Sequence, residues 1–151
     1  MKKLLIVMFV LIVLGAGGYA VFTGHIPALK SDKHIVVGKT QRFFECVKFK
    51  EFGEAGNFHT AEDAKNADIP KMIEDLFKVP PEYLDVQDVN ILFAEIDSSK
   101  VLAKVKTRCT VQLLNTKEIR HPECILYWKL ENGEWYLKLR STLERGRLGQ
   151  R

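Results

Sequence analysis

The chain has 151 residues and a mass of 17.3 kDa, with 46% apolar and 28% charged residues, which admits one globular domain with a short appendage and excludes two. With 10 Gly, 5 Pro and a net charge of +4, it is neither collagen-like nor low-complexity, and its charges are too balanced for a disordered chain. The small net charge hides an uneven layout: residues 1–31 carry three lysines and no acid, residues 32–99 carry 8 basic against 14 acidic side chains, and residues 100–151 carry 12 against 5.

The first element, residues 1–22, is a membrane signal. Lys2 and Lys3 precede 19 uncharged residues, Leu4 to Phe22, which as a helix reach roughly 28 Å, close to the thickness of a bilayer core. The run predicts an uncleaved anchor that crosses the cytoplasmic membrane once. The alternative is cleavage near Ala20: the strongly apolar part ends at Leu14, and Gly18 and Ala20 are small enough for a processing site. That would give a secreted or periplasmic protein. In either case the retained positive charge of Lys2 and Lys3 places the rest of the chain outside the cytoplasm. Residues 23–38 hold Pro27, His25 and His34 without a helical period and predict a tether. Two histidines nine apart, with no carboxylate or thiol at ligand spacing, do not make a metal site.

The domain itself is expected over residues 39–143. Lys39 to Gly53 sets Phe43, Phe44, Val47 and Phe52 at three- and four-residue steps and predicts an amphipathic helix. Thr60-Ala61-Glu62-Asp63 has capping-box spacing and predicts a short helix from Ala61 to Asn66. Asp68 caps a further start, with Pro70 in the first turn and Met72, Ile73, Leu76 and Phe77 as the buried stripe, and Pro80-Pro81 ends it.

From Val89 the period becomes two. Val101 to Leu113 alternates, Cys124, Leu126, Trp128 and Leu130 repeat the pattern, and Trp135, Leu137 and Leu139 close it. Asn132-Gly133 predicts a type I′ hairpin, and two-residue turns at Ser98-Ser99 and Asn115-Thr116 complete a four-stranded antiparallel meander. The inner face then has three apolar rows: Ile96, Val101, Leu130, Trp135; Ala94, Ala103, Trp128, Leu137; and Leu92, Val105, Leu126, Leu139. A fourth row is polar: Asn90, Thr107, Cys124, Ser141. Pro122 predicts a bulge near His121.

Helices first, then a curved meander wrapping them, with a terminal hairpin ILYWKLENGEWYLKL built on Trp128, Asn132-Gly133 and Trp135-Tyr136, resemble the cystatin-like cone of the nuclear-transport-factor-2-like superfamily. The resemblance covers residues 39–143 and implies an α+β fold in which helices pack on a curved four-stranded sheet. The superfamily holds enzymes, ligand carriers and assembly modules, so the fold does not choose among them. The segment FHTAEDAKNADIPKMIEDLF and the same hairpin are also similar to small exported bacterial proteins of unassigned function. That likeness implies an address outside the cytoplasm.

No catalytic constellation and no cofactor motif stand out. Enzymes on this scaffold project Asp, His or Tyr into the cone, whereas the inner face here offers Asn90, Thr107, Cys109, Cys124 and Ser141, none of which forms an acid/base pair. Asn90, Thr107, Cys124 and Ser141, with His121 nearby, are the candidates for a ligand cleft; His59, Asp63 and Tyr83 are the remaining polar candidates. Cys46, Cys109 and Cys124 read as buried thiols, or, if the Pro122 bulge shifts the register by two, as a Cys109–Cys124 disulfide beside a free Cys46. The outer face collects Lys104, Lys106, Arg108, Lys129, Lys138 and Arg140 with Tyr127 and Tyr136, beside an apolar strip of Val89, Ile91, Phe93, Leu102 and Ile125. An exported domain rarely meets nucleic acid, so the strip and its basic rim predict a sheet-to-sheet homodimer, an anionic protein or glycan partner, or the nearby anionic membrane surface on this face. Residues 144–151 add a basic tail. The expectation is a membrane-tethered extracytoplasmic interaction or ligand-binding domain without catalysis. The rival is a small cone-fold enzyme or lipophilic-ligand carrier that uses the polar row.

Overall fold

A computed structural model describes residues 31–138. The expected anchor at 1–22, residues 23–30 of the expected tether, Leu139, Arg140, Ser141 and residues 144–151 lie outside the described residues.

Helix α1 runs Asp32–Lys48. Asp32 in its first turn and Lys48 in its last complement the helix dipole. Val36, Thr40, Phe43, Phe44, Cys46 and Val47 form its buried face. The helix takes in the last seven residues of the predicted tether, because Val36 and Thr40 extend the apolar stripe one turn back. Thr40 serves as a core residue by donating its hydroxyl to the Val36 carbonyl at 2.9 Å. The helix also stops before Gly53. Lys50 adopts φ 59°, and its N–H bonds the Val47 carbonyl while Glu51 N–H bonds that of Cys46, a Schellman closure with lysine where glycine is usual.

Three short helices follow: α2 (Phe52–Gly56), α3 (Ala61–Asn66) and α4 (Ile69–Phe77). Thr60 accepts the Asp63 N–H at 3.2 Å and Asp68 that of Lys71 at 3.0 Å, the two caps the spacing predicts. Helix α4 buries Ile69, Met72, Ile73 and Phe77 and ends on Lys78 at φ 59°. A single 3₁₀ turn, Pro81–Tyr83, leads into the sheet.

The strands are β1 (Leu84–Ile96), β2 (Leu102–Leu113), β3 (Ile119–Arg120), β4 (Glu123–Glu131) and β5 (Glu134–Leu137). They form a curled antiparallel sheet ordered β1-β2-β4-β5, with β3 continuing beside β2. The architecture is therefore α+β, and α1 lies against β1 and β2. Across β2, β4 and β5 the register is the expected one: Ala103 pairs Trp128 and Trp128 pairs Leu137, Val105 pairs Leu126, Thr107 pairs Cys124, and Leu130 pairs Trp135. Asn132 at φ 51° and Gly133 at φ 81° form the tight hairpin.

Strand β1 departs from expectation. It starts at Leu84, and register shifts at Gln87 and Leu92 each insert one residue. An extra residue reverses the alternation beyond it. The inward residues are thus Ile96, Ala94, Ile91, Val89, Val86 and Leu84, opposite Ala103, Val105, Thr107, Cys109, Val111 and Leu113. Asn90 and Leu92 turn outward and Ile91 and Val89 inward, which corrects all four. The turn that follows β1 is also longer than two residues: the Asp97 carboxylate accepts from Ser99 Oγ at 2.7 Å and from Leu102 N at 3.3 Å. This leaves Val101 exposed outside the inner rows.

No bulge forms at His121. Val111 pairs Arg120 and Arg108 pairs Glu123 in one unbroken register. Pro122, lacking an N–H, interrupts the strand and uses only its carbonyl, which accepts the Cys109 N–H at 2.9 Å. The core fills the space between helices and inner face, with Phe43, Phe44, Ile73, Val105, Leu126, Trp128, Trp135 and Leu137 buried. The Phe58 ring stands edge-on to Phe43 at 6.0 Å and to Trp128 at 6.3 Å.

Candidate functional site

The polar inner row does not open into a cleft at its central residues. Thr107 is 0% and Cys124 3% exposed, and the Thr107 hydroxyl donates to the Cys124 carbonyl at 3.4 Å while lying 4.0 Å from Cys109 Sγ. Asn90 sits on the other face of the sheet, opposite Arg108, and its amide donates to Asp88 at 2.7 Å. His121 is exposed, with Nδ1 3.3 Å from the Thr110 hydroxyl. Ser141 is outside the described residues. The cleft candidates are therefore not brought together: two are core, and two face solvent.

All three cysteines are buried free thiols. The unbroken register keeps Cys109 and Cys124 two positions apart, so the slip on which a disulfide depends is missing. The Cys124 thiol is pushed up by its hydrogen bond with Cys109 and by burial. Burial likewise raises that of Cys46. Neither is a ready nucleophile.

His59 is 3% exposed. Its Nδ1 lies 3.1 Å from the Gly56 carbonyl, and its ring meets Phe43 edge-on at 6.4 Å. Burial holds its pKa below the ordinary value, so the ring is neutral, with Nδ1–H as donor. Its Nε2 has no partner among the described residues, and the same is true of Trp128 Nε1. The other indole, Trp135, donates to Asp32 at 3.4 Å and pins the start of α1 to the hairpin.

A groove of about 510 Å³ opens between the start of α3 and the β4–β5 hairpin, lined among others by Thr60, Glu62, Asp63, Lys129 and Tyr136. Sequence reasoning found Asp63 as a polar candidate but not the groove, because no local pattern shows that the hairpin faces α3.

The outer face carries the clearest anomaly. Leu92, Phe93, Leu102 and Ile125 are 40%, 42%, 40% and 36% exposed. The register sets Phe93, Lys106 and Ile125 in one row and Glu95, Lys104 and Tyr127 in the next. The cations here do not stand alone. Lys104 pairs Glu95 at 2.9 Å, Arg108 and Lys106 both pair Glu123, and Lys129 pairs Glu131. Lys106 and then Arg108 hold the Glu123 carboxyl below its usual range. The sequence reading missed these three acids, although Glu123 alternates outward with Ile125 and could have been found from that alternation. Leu92 takes the place expected for Ile91, and Arg140 is outside the described residues.

Among the described residues no group of three His, Cys, Asp or Glu is placed to hold a metal ion, and no helix is long and apolar enough to cross a membrane. No model of a known protein family matches the chain, and no curated protein matches it.

Proposed function

We propose that this chain is a membrane-tethered, extracytoplasmic interaction domain on a cystatin-like cone, acting through the outer face of its sheet rather than by catalysis. The observation that carries the reading is the exposure of Leu92, Phe93, Leu102 and Ile125 on one sheet face. A face left to water alternates apolar-in with polar-out, and an apolar patch within it is the mark of an interaction site. The inner face is packed with side chains at Thr107, Cys109 and Cys124, which removes support from a catalytic or lipophilic-ligand cleft there. A ligand-binding role finds its support instead in the polar groove beside α3.

The tether follows from sequence. The uncharged run from Leu4 to Phe22 behind Lys2 and Lys3 supports an anchor. The test uses the full chain in bacterial spheroplasts with a membrane-impermeant maleimide, because the native thiols are buried. Lys65→Cys, exposed near the end of α3 and not among the residues lining the groove, is expected to react in intact spheroplasts. Ile125→Cys is expected to react several-fold more slowly, until detergent and dilution separate the partners. Silence of Lys65→Cys before lysis would overturn the address, and equal rates at both sites would overturn the interaction face.

A further inference from the structure

We infer that the groove between the start of α3 and the β4–β5 hairpin binds an uncharged saccharide. The inference rests on the ligand-binding role that this groove supports, names its ligand, and is independent of the outer face. Main chain holds the two walls together: the Leu137 N–H, on the hairpin side, bonds the carbonyl of Phe58, two residues before the groove-lining Thr60, at 2.7 Å. The Phe58 ring is itself fixed edge-on to Phe43 and Trp128 in the core. The volume of about 510 Å³ is therefore preformed, and it falls within the roughly 300–1,000 Å³ of small-ligand sites.

The polar groups that line the groove set the chemistry of its ligand. On the α3 wall the carboxylates of Glu62 and Asp63 have no hydrogen-bond or ion-pair partner among the described residues, and on the hairpin wall the same holds for the Asn132 amide and the Tyr136 hydroxyl. Ionised carboxylates only accept, so the first wall calls for a ligand that donates hydrogen bonds. An amide and a phenol both donate and accept, so the second wall calls for a ligand that does both.

Cations and hydroxyl groups are the strong donors to carboxylates, and the remaining charges choose between them. Lys129, paired with Glu131, and Lys138 line the same groove, so its positive and negative charges nearly balance and a polyamine or basic peptide gains little from the field. An anion would meet Glu62 and Asp63 with no cation paired to them. A sugar hydroxyl carries one donor and two acceptor lone pairs, so neighbouring hydroxyls donate to the carboxylates and accept from Asn132 or a lysine together. Tyr136 adds aromatic surface for the C–H groups of the sugar ring. Lys39, which is not part of the groove lining, stands over that ring 5.8 Å from its centre and is held by Glu134 at 2.9 Å, which fixes the ring in place.

The experiment titrates maltotriose, cellotriose, chitotriose and, separately, spermidine against the full chain in dodecylphosphocholine, a detergent without a sugar headgroup, and reads binding by saturation-transfer NMR. At least one trisaccharide is expected to bind, with a Kd that changes less than about two-fold between low and high salt because the ligand carries no charge. Changing Glu62→Gln and Asp63→Asn together is expected to weaken binding about ten-fold, since two hydrogen bonds to charged acceptors are lost. Tyr136→Phe, which keeps the ring and removes only the hydroxyl, is expected to weaken it independently, and Lys65→Gln, on α3 outside the groove lining, to leave it unchanged. Affinity that survives both groove changes in folded protein would place the sugar elsewhere and overturn the site. Binding of spermidine in place of every trisaccharide would overturn the saccharide and leave the groove a ligand site; silence with all four probes would overturn both. The outer face is judged separately, by the maleimide rates.

Discussion

Trp128 and His59 show how far single residues control this fold. Trp128 is fully buried between Ala103 and Leu137 on an apolar row, and truncating a buried Trp costs roughly 3–5 kcal/mol, a large share of the roughly 5–15 kcal/mol that holds a domain together. Trp128→Ala is expected to lower the urea midpoint sharply or to unfold the domain; a loss under about 1 kcal/mol would mean that the strand is inverted. His59 sets the acid limit. Burial lowers its pKa from 6.5, so the unfolded chain binds a proton more readily than the native one. Its contribution is complete above pH 6.5 and declines as pH falls from there through the depressed native value. Asp63 is the charged neighbour that opposes the shift. His59→Phe is expected to flatten the fall in stability between pH 7.5 and 5.5, measured by chemical unfolding, and an unchanged slope would place the sensitivity elsewhere.

At the level of elements, β1 holds both the main difference from the sequence reading and its test. Ile91 and Phe93 look equivalent in an alternating strand, yet the shift between them turns Ile91 toward Thr107 in the core and Phe93 toward Lys106 outside. Ile91→Glu is expected to cost more than about 1 kcal/mol by setting an unpaired charge against the core on which the half-buried Ile91 packs. Phe93→Glu, at a position exposed in the single chain, is expected to stay within about 0.5 kcal/mol for the separated monomer. Equal effects would put the bulge elsewhere. Helix caps at Thr60 and Asp68, the Asn132-Gly133 hairpin and the β2-β4-β5 register were legible because each depends on a few neighbouring residues with one physical meaning. The bulges at Gln87 and Leu92 were not: no Gly or Pro marks them, and both registers offer apolar residues to the core. The start of α1 was hidden by Thr40, a polar residue that becomes apolar in effect once its hydroxyl bonds the Val36 carbonyl. The outer face was legible in its lysines and apolar strip, but the partial compensation of its charge depends on Glu95 and Glu123 meeting Lys104, Lys106 and Arg108 across strands.

For the whole molecule, orientation is the property that the interaction reading depends on most. Residues 1–31 contain Lys2, Lys3 and Lys30 and no acid; on the proposed reading the two lysines that precede the apolar run set the orientation, because positive charge next to a membrane span is retained in the cytoplasm. Lys30 follows the run but stands alone against that pair, eight residues beyond Phe22. On the proposed reading the described domain, with α1 beginning at Asp32, is delivered to the outer side. A reporter that fluoresces only in the cytoplasm, fused after Arg151, is expected to be dark, whereas an enzyme that matures only outside is expected to be active in the same position. Replacing Lys2 and Lys3 by Glu is expected to shift a measurable fraction of the chains to the opposite result, since it removes the retained charge and leaves Lys30 as the positive flank. Bright cytoplasmic fluorescence from the native sequence would reverse the orientation. The partner sought for the outer face would then have to be a cytoplasmic one.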